Sequence, residues 1–190
     1  MTQEEVVGQV VDALVEAGVP YMVAGSFASN IHGVPRMTQD ADIVVDLDEA
    51  GVARLVARLQ GRFYVSDADA LDAVRERRMF NAIHLETAFK VDLVVRKHRP
   101  FSVEELRRRA PGRLAGRTVD FATAEDTVLT KLEWARLGDS ERQYADAVGI
   151  IGVQREGLEW AYLERWAANL GLSDLLQRAR RGEPFRDTSP

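Results

Sequence analysis

The chemistry available to this sequence sits in three aspartates and one glycine-serine pair. In Asp40-Ala41-Asp42-Ile43-Val44-Val45 the acids stand two residues apart. On a strand that spacing turns both carboxylates to one face, with Ala41, Ile43, Val45 and Leu47 forming an apolar face behind them. Neighbouring carboxylates repel each other and resist desolvation, and a divalent cation between them removes that cost. Mg²⁺ in particular combines a few carboxylates with the phosphate oxygens of a substrate. A third acid, Asp92, interrupts Phe89-Lys90-Val91-Asp92-Leu93-Val94-Val95, in which Phe89, Val91, Leu93 and Val95 share one face and Lys90, Asp92 and Val94 the other. Asp is disfavoured in strands, so its place in a Val/Leu run is unusual. Should this strand lie beside the first, Asp92 joins Asp40 and Asp42. Val23-Ala24-Gly25-Ser26 reads as a strand entering a turn that opens a helix, where backbone N–H groups and a hydroxyl can meet phosphate. Each piece also has a plainer reading: a capped turn, a solvated acidic edge, a hairpin residue facing water.

The elements that must position these residues follow from periodicity. Residues 3–17 place Val6, Val7, Val10, Leu14 and Ala17 on one stripe, so they read as an amphipathic helix stopped by Gly18. Residues 20–24 are a short apolar strand, and residues 26–32 a short helix with Ser26 as a natural N-cap and Gly33 as its end. A strand over 40–47, a helix over about 49–60 capped by Asp48, a strand near 63–65 and a helix over about 67–78 follow. Residues 80–86 and 89–95 are strand-like runs joined so tightly that an antiparallel hairpin is the simplest reading. An Arg-rich helix near 102–110, a break at Pro111-Gly112 and a strand near 117–121 come next. From Thr123 on the pattern is helical throughout, over about 124–137, 140–153, 158–169 and 172–181, with Gly138, Gly157 and Gly171 at the breaks. The expected fold class is therefore α+β: a mixed sheet with flanking helices over residues 1–121, a helical bundle over 122–181 and a loose polar tail over 182–190.

Composition narrows the function classes. The chain has 190 residues, 46% hydrophobic and 29% charged, which suits a folded domain with a sizeable core. With no cysteine, disulfides, thiol catalysis, iron–sulfur clusters and cysteine zinc sites are excluded. No apolar run reaches membrane-spanning length and the first residues are acidic, so no membrane role and a cytoplasmic location are expected. The net charge of −5 conceals a pattern: residues 1–50 carry −8, residues 51–120 carry +6 and residues 121–190 carry −3. An acidic first third beside a basic middle suits carboxylates holding cations near arginines that meet phosphate, and equally suits solvated Arg-rich helix faces.

Taken together, Gly25-Ser26, Asp40-x-Asp42 and Asp92 resemble the nucleotidyltransferase superfamily, whose fold is shared with the palm of polymerase β. The stretch Arg36-Met37-Thr38-Gln39-Asp40-Ala41-Asp42 further resembles the Arg-x-Thr-x-Asp-x-Asp form of the AbiEii-like branch, which includes toxins of toxin–antitoxin systems. Ala124 to Leu132 is similar to that branch's helix bearing a lysine, here Lys131, and Ser140 to Asp146 to its following helix bearing an aspartate, here Asp146. Ser26 is followed by Phe27, unlike the Arg-rich continuation of minimal nucleotidyltransferases that pair with helical partners. The resemblance covers about residues 20–150. It implies transfer of NMP from an NTP, such as ATP, to an acceptor hydroxyl with release of pyrophosphate. Asp40, Asp42 and Asp92 would hold two Mg²⁺ ions, with Mn²⁺ as a substitute, and Asp92 would help deprotonate the acceptor. Gly25 and Ser26 would cradle the β/γ-phosphates and Lys131 would neutralise them. An RNA or tRNA end is an implied acceptor, and a cognate antitoxin protein an implied partner.

Rival readings stand beside this one. Lys131 borders the apolar stripe of Leu129 and Leu132 and suits a snorkelling core lysine as well as a phosphate ligand. Asp146 suits an acid aimed into a cleft or an ordinary surface acid. His32, His84 and His98 lack metal-ligand spacing, and Trp134, Trp160 and Trp166 fit bundle packing. A catalytically silent nucleotide-binding or interaction module, a small-molecule (antibiotic-type) nucleotidyltransferase, and a glycosyltransferase using Asp-x-Asp are the alternatives. Only 39 residues precede Asp40, too few for the nucleotide-binding region that normally leads to the glycosyltransferase motif.

Overall fold

A computed structural model describes residues 1–186, and the last four residues of the expected loose tail lie outside it. The described chain forms two compact units. The first comprises Met1–Phe27 with Met37–Ala122, and the second comprises Ala28–Arg36 with the chain from Thr123 on.

The first unit is built on a seven-stranded mixed sheet. Its strands are β1 (Tyr21–Val23), β2 (Asp40–Val45), β3 (Phe63–Tyr64), β4 (Met79–His84), β5 (Lys90–Val95), β6 (Ala110–Leu114) and β7 (Arg117–Phe121), in the order β3-β4-β5-β2-β1-β7-β6. β2 and β5 run parallel at the centre, β4 is antiparallel to β5 as the hairpin reading expects, and β1 is antiparallel to β2. Helices α1 (Gln3–Glu16), α3 (Glu49–Leu59), α4 (Asp67–Glu76) and α5 (Pro100–Arg108) accompany it.

One face of this sheet makes the core. Ala41, Ile43 and Val45 of β2 and Val91, Leu93 and Val95 of β5 are at most 1% exposed and join the buried stripes of α1, α3 and α4. Alternation on β2 leaves Asp40, Asp42 and Val44 half-buried on the opposite face. Burying the apolar face therefore fixes which way the acids point, because a one-residue slip would invert every side chain.

β6 departs from the sequence expectation, which put only a break at Pro111-Gly112. Both residues are strand residues paired antiparallel with β7. The strand ends the sheet, where a proline's missing N–H costs no ladder bond. Gly112 is required there because a Cβ would stand 2.8 Å from the Phe121 ring.

Helix α2 (Gly25–His32) starts in the first unit and ends in the second. It begins at Gly25, so Ser26 lies in its first turn instead of capping it. The second unit contains α6 (Ala124–Gly138), α7 (Glu141–Gln154), a 3-10 turn (Arg155–Gly157), α8 (Trp160–Leu170) and α9 (Ser173–Arg181). Residues 28–36 belong to it through α7: a Cβ on Gly33 would meet Ile150 at 2.9 Å, and Gln154 donates to the His32 carbonyl. Trp160 and Trp166 are half-buried, but Trp134 is 57% exposed, against the packing role expected for all three. Within 182–186, Glu183 accepts a bond from the Tyr144 hydroxyl and Phe185 packs on the Tyr144 ring.

Candidate active site

The three acids converge in the first unit. β2 and β5 are paired so that Asp42 stands directly opposite Asp92 and Asp40 opposite Lys90. Registered residues on adjacent strands share a face, so Asp40, Asp42, Asp92 and Lys90 all project to the side away from the core.

Each acid has its own support. Asp40 accepts hydrogen bonds from the Thr38 hydroxyl at both its carbonyl (2.9 Å) and Oδ1 (3.3 Å). Asp42 lies under the turn that opens α2: the Ala24 N–H donates to the Asp42 carbonyl. Gly25 has φ +56°, and a Cβ there would fall 1.8 Å from Asp42 Oδ2. The glycine is thus needed twice, for a left-handed backbone and for room beside the carboxylate. Asp92 is 4% exposed, the most deeply placed of the three. Its Oδ2 accepts from Lys90 Nζ at 2.9 Å, while its Oδ1 is buried and accepts no hydrogen bond among the described residues.

Such an orphaned carboxylate oxygen, facing a second carboxylate across the strand pair, is the chemistry a hard divalent cation takes up. The donor set fits one. It is not drawn together in advance, however: among the described residues no three His, Asp or Glu side chains form a ready ligand group. Lys90 stands among the acids instead. Its ammonium is held above the ordinary lysine range, first by the hydrogen bond to Asp92 and then, against burial, by the charges of Asp92, Asp40 and Asp42.

The remaining site candidates lie in the second unit. Lys131 is 3% exposed, and its Nζ donates to Asp146 Oδ2 at 2.9 Å. Arg36 grips the same carboxylate with two bonds, Nε to Oδ1 and Nη2 to Oδ2, each 2.9 Å. Burial alone would raise the Asp146 carboxyl, but the bonds from Arg36 and Lys131, with their charges, outweigh it and hold the group below the ordinary range. Asn30 fixes Arg36 in turn, donating to its carbonyl and accepting from its N–H. Asp146 is therefore no ordinary surface acid.

Sequence reasoning named Lys90 only as a face residue and Arg36 and Thr38 only as motif letters. Lys90 was findable, since a lysine two residues before a strand acid shares its face. The Arg36–Asp146 pair spans 110 residues and left no local trace.

Beside the acids, β3 is so short that it pairs only with Ile83 and His84, leaving Met79 to Asn81 at the sheet edge. A hollow of about 230 Å³ opens there, lined by Tyr64, Asp69, Asp72, Asn81 and Ile83 among others. Asn81 is the partner of Asp92 on the side away from Asp42.

No protein-family model matches the chain, and no curated protein matches it in sequence. Solved structures do. The antibiotic-resistance factor ANT(2″)-Ia superposes with a TM-score of 0.53 and 19% identity over 88% of this chain and 94% of that one. A nucleotidyltransferase-like antigenic protein from Paracoccidioides brasiliensis gives 0.59 and 14% over 95% and 93%. The lincosamide antibiotic adenylyltransferase LnuA, solved with lincomycin, gives 0.54 and 12% over 80% and 98%. At these identities what is shared is the fold, that of the nucleotidyltransferases.

Proposed function

We propose that the protein is a metal-dependent nucleotidyltransferase that moves NMP from an NTP to the hydroxyl of a small-molecule acceptor. The observation that carries this reading is the registered pair Asp42 and Asp92 on parallel strands, with Asp40 on the same face and Gly25 pressed against Asp42. Asp40, Asp42 and Asp92 would hold the divalent ions. When bound, such ions supply positive charge to the triphosphate and to the oxygens entering and leaving phosphorus. The chain's own part is to orient the reactants: Gly25 and Ser26 offer N–H and hydroxyl donors at the start of α2, and Asp92 accepts the acceptor's proton. For Lys131 we propose a role inside the second unit, where its buried ammonium and Arg36 together hold the Asp146 carboxylate.

The small acceptor is supported by two observations. The antibiotic-modifying structures match over most of their own length as well as of this chain. The edge hollow of about 230 Å³ lies one strand from Asp92, lined by its ladder partner Asn81, and has room for part of a small molecule. An AbiEii-like toxin acting on RNA or tRNA beside a protein antitoxin has less support. Arginines of the basic middle are engaged in ion pairs, Arg75 with Glu49, Arg96 with Asp46, Arg109 with Asp120 and Arg117 with Asp12.

The test is incubation of the purified protein with each α-labelled NTP, Mg²⁺ and separate pools of hydroxyl-bearing antibiotics and total RNA, beside Asp42→Asn. Label entering a small molecule only with intact Asp42 is the expected result. Label entering RNA would replace the acceptor assignment, and label entering nothing would favour the silent module.

A further inference from the structure

Lys90 has no part in the reaction as proposed, yet it occupies the most consequential position beside the acids. It faces Asp40 across the β2–β5 ladder and reaches two residues along its own strand to bond Asp92 at 2.9 Å. The Asp92 side chain is 6% exposed, whereas that of Lys90 is 38% exposed. The ion pair therefore has one deeply anchored member and one with a path to water. Three carboxylates on one face repel each other, and an ammonium among them relieves that repulsion without any bound ion. The same ammonium is an obstacle: it takes one oxygen of an acid whose other oxygen is buried without a hydrogen bond among the described residues.

We propose that Lys90 is a tethered cation that competes with divalent metal for Asp92, neutralising this carboxylate in the metal-free protein and yielding its Oδ2 when an ion enters the cluster. The proposal rests on the metal-site reading above. It makes Lys90 a positioning residue that sets the metal affinity of the cluster. A long, half-exposed side chain suits this task, because it can swing to water while Asp92 stays fixed in the sheet.

The test measures metal binding, not turnover. Mn²⁺ titrations followed by electron paramagnetic resonance compare the wild type with Lys90→Met and Lys90→Gln, each alone and combined with Asp42→Asn. The expected result is about tenfold tighter Mn²⁺ binding once the ammonium is gone, a change of about 1.4 kcal/mol. Metal-free Lys90→Met should also melt below the wild type and recover with Mn²⁺. A purely structural lysine would instead leave the affinity unchanged or weaken it, and that outcome overturns the proposal while Asp42-dependent binding keeps the metal reading intact. Binding that ignores Asp42→Asn in every background sinks the metal reading itself. Should both Lys90 variants fail to fold, the wild type decides the matter. Mass spectrometry after brief amine acetylation should show Lys90 modified faster with Mn²⁺ than without, with Lys97 as the internal reference. An unchanged Lys90 rate overturns the proposal.

Discussion

Gly25 shows how much of the site depends on a missing side chain. Alanine there would have to adopt φ +56° and would press its methyl into Asp42 Oδ2. The left-handed backbone alone costs about 1–2 kcal/mol, and the collision displaces either the turn or the carboxylate. Gly25→Ala is therefore expected to fold with a lowered melting temperature and to lose Mn²⁺ binding along with nucleotidyl transfer. A variant that keeps wild-type metal affinity would show that the turn does not position Asp42. Asp146 makes a different prediction, about pH. Its carboxyl is held below its ordinary value of 3.8 in the folded chain. The linked stability is therefore fully present above that value and is lost as pH falls through the lowered folded value. The stability gap between wild type and Asp146→Asn, followed by urea melts, should be constant near neutrality and narrow below pH 3.8. A gap that persists undiminished in acid would assign the cost to packing.

At the scale of elements, what was legible in the sequence was whatever local pattern encodes. The alternation in Asp40 to Val45 and Phe89 to Val95 announced two strands with acids on one face, and burial of the other face enforced it. That β2 and β5 would be neighbours, in a register that sets Asp42 opposite Asp92, could only be supposed, since pairing between distant strands leaves no short-range signal. β6 was hidden for another reason: Pro and Gly mark turns in most settings, and only a place at the sheet edge makes them acceptable strand residues. The loop after α2 was equally opaque. Its shape depends on Asn30, whose amide brackets both main-chain groups of Arg36. Asn30→Ala should cost about 1–3 kcal/mol for the stranded polar groups and raise hydrogen exchange at the Arg36 amide. Unchanged protection at Arg36 would mean that α7 alone holds the loop.

At the scale of the molecule, charge decides what the surface can hold. The excess of base in residues 51–120 invited a nucleic-acid reading, but named arginines in it face carboxylates drawn from distant parts of the chain, such as Asp12 and Asp46. The protein should therefore show weak affinity for non-specific single-stranded RNA in 0.15 M salt, with a shallow dependence on ionic strength. A log–log slope steeper than about −2, the mark of roughly three phosphates neutralised on a single strand, would reverse this and revive an RNA acceptor. Among the described residues no helix is long and apolar enough to cross a membrane.

Because Ala28–Arg36 is folded into the second unit while its flanks belong to the first, neither unit is an uninterrupted stretch of sequence. A genetic crossover just after position 122 would transmit a sheet still carrying a segment whose packing partners had been left behind, and a set of helices lacking that segment. A chimaera joined at that single point is therefore expected to lose the packing of both units.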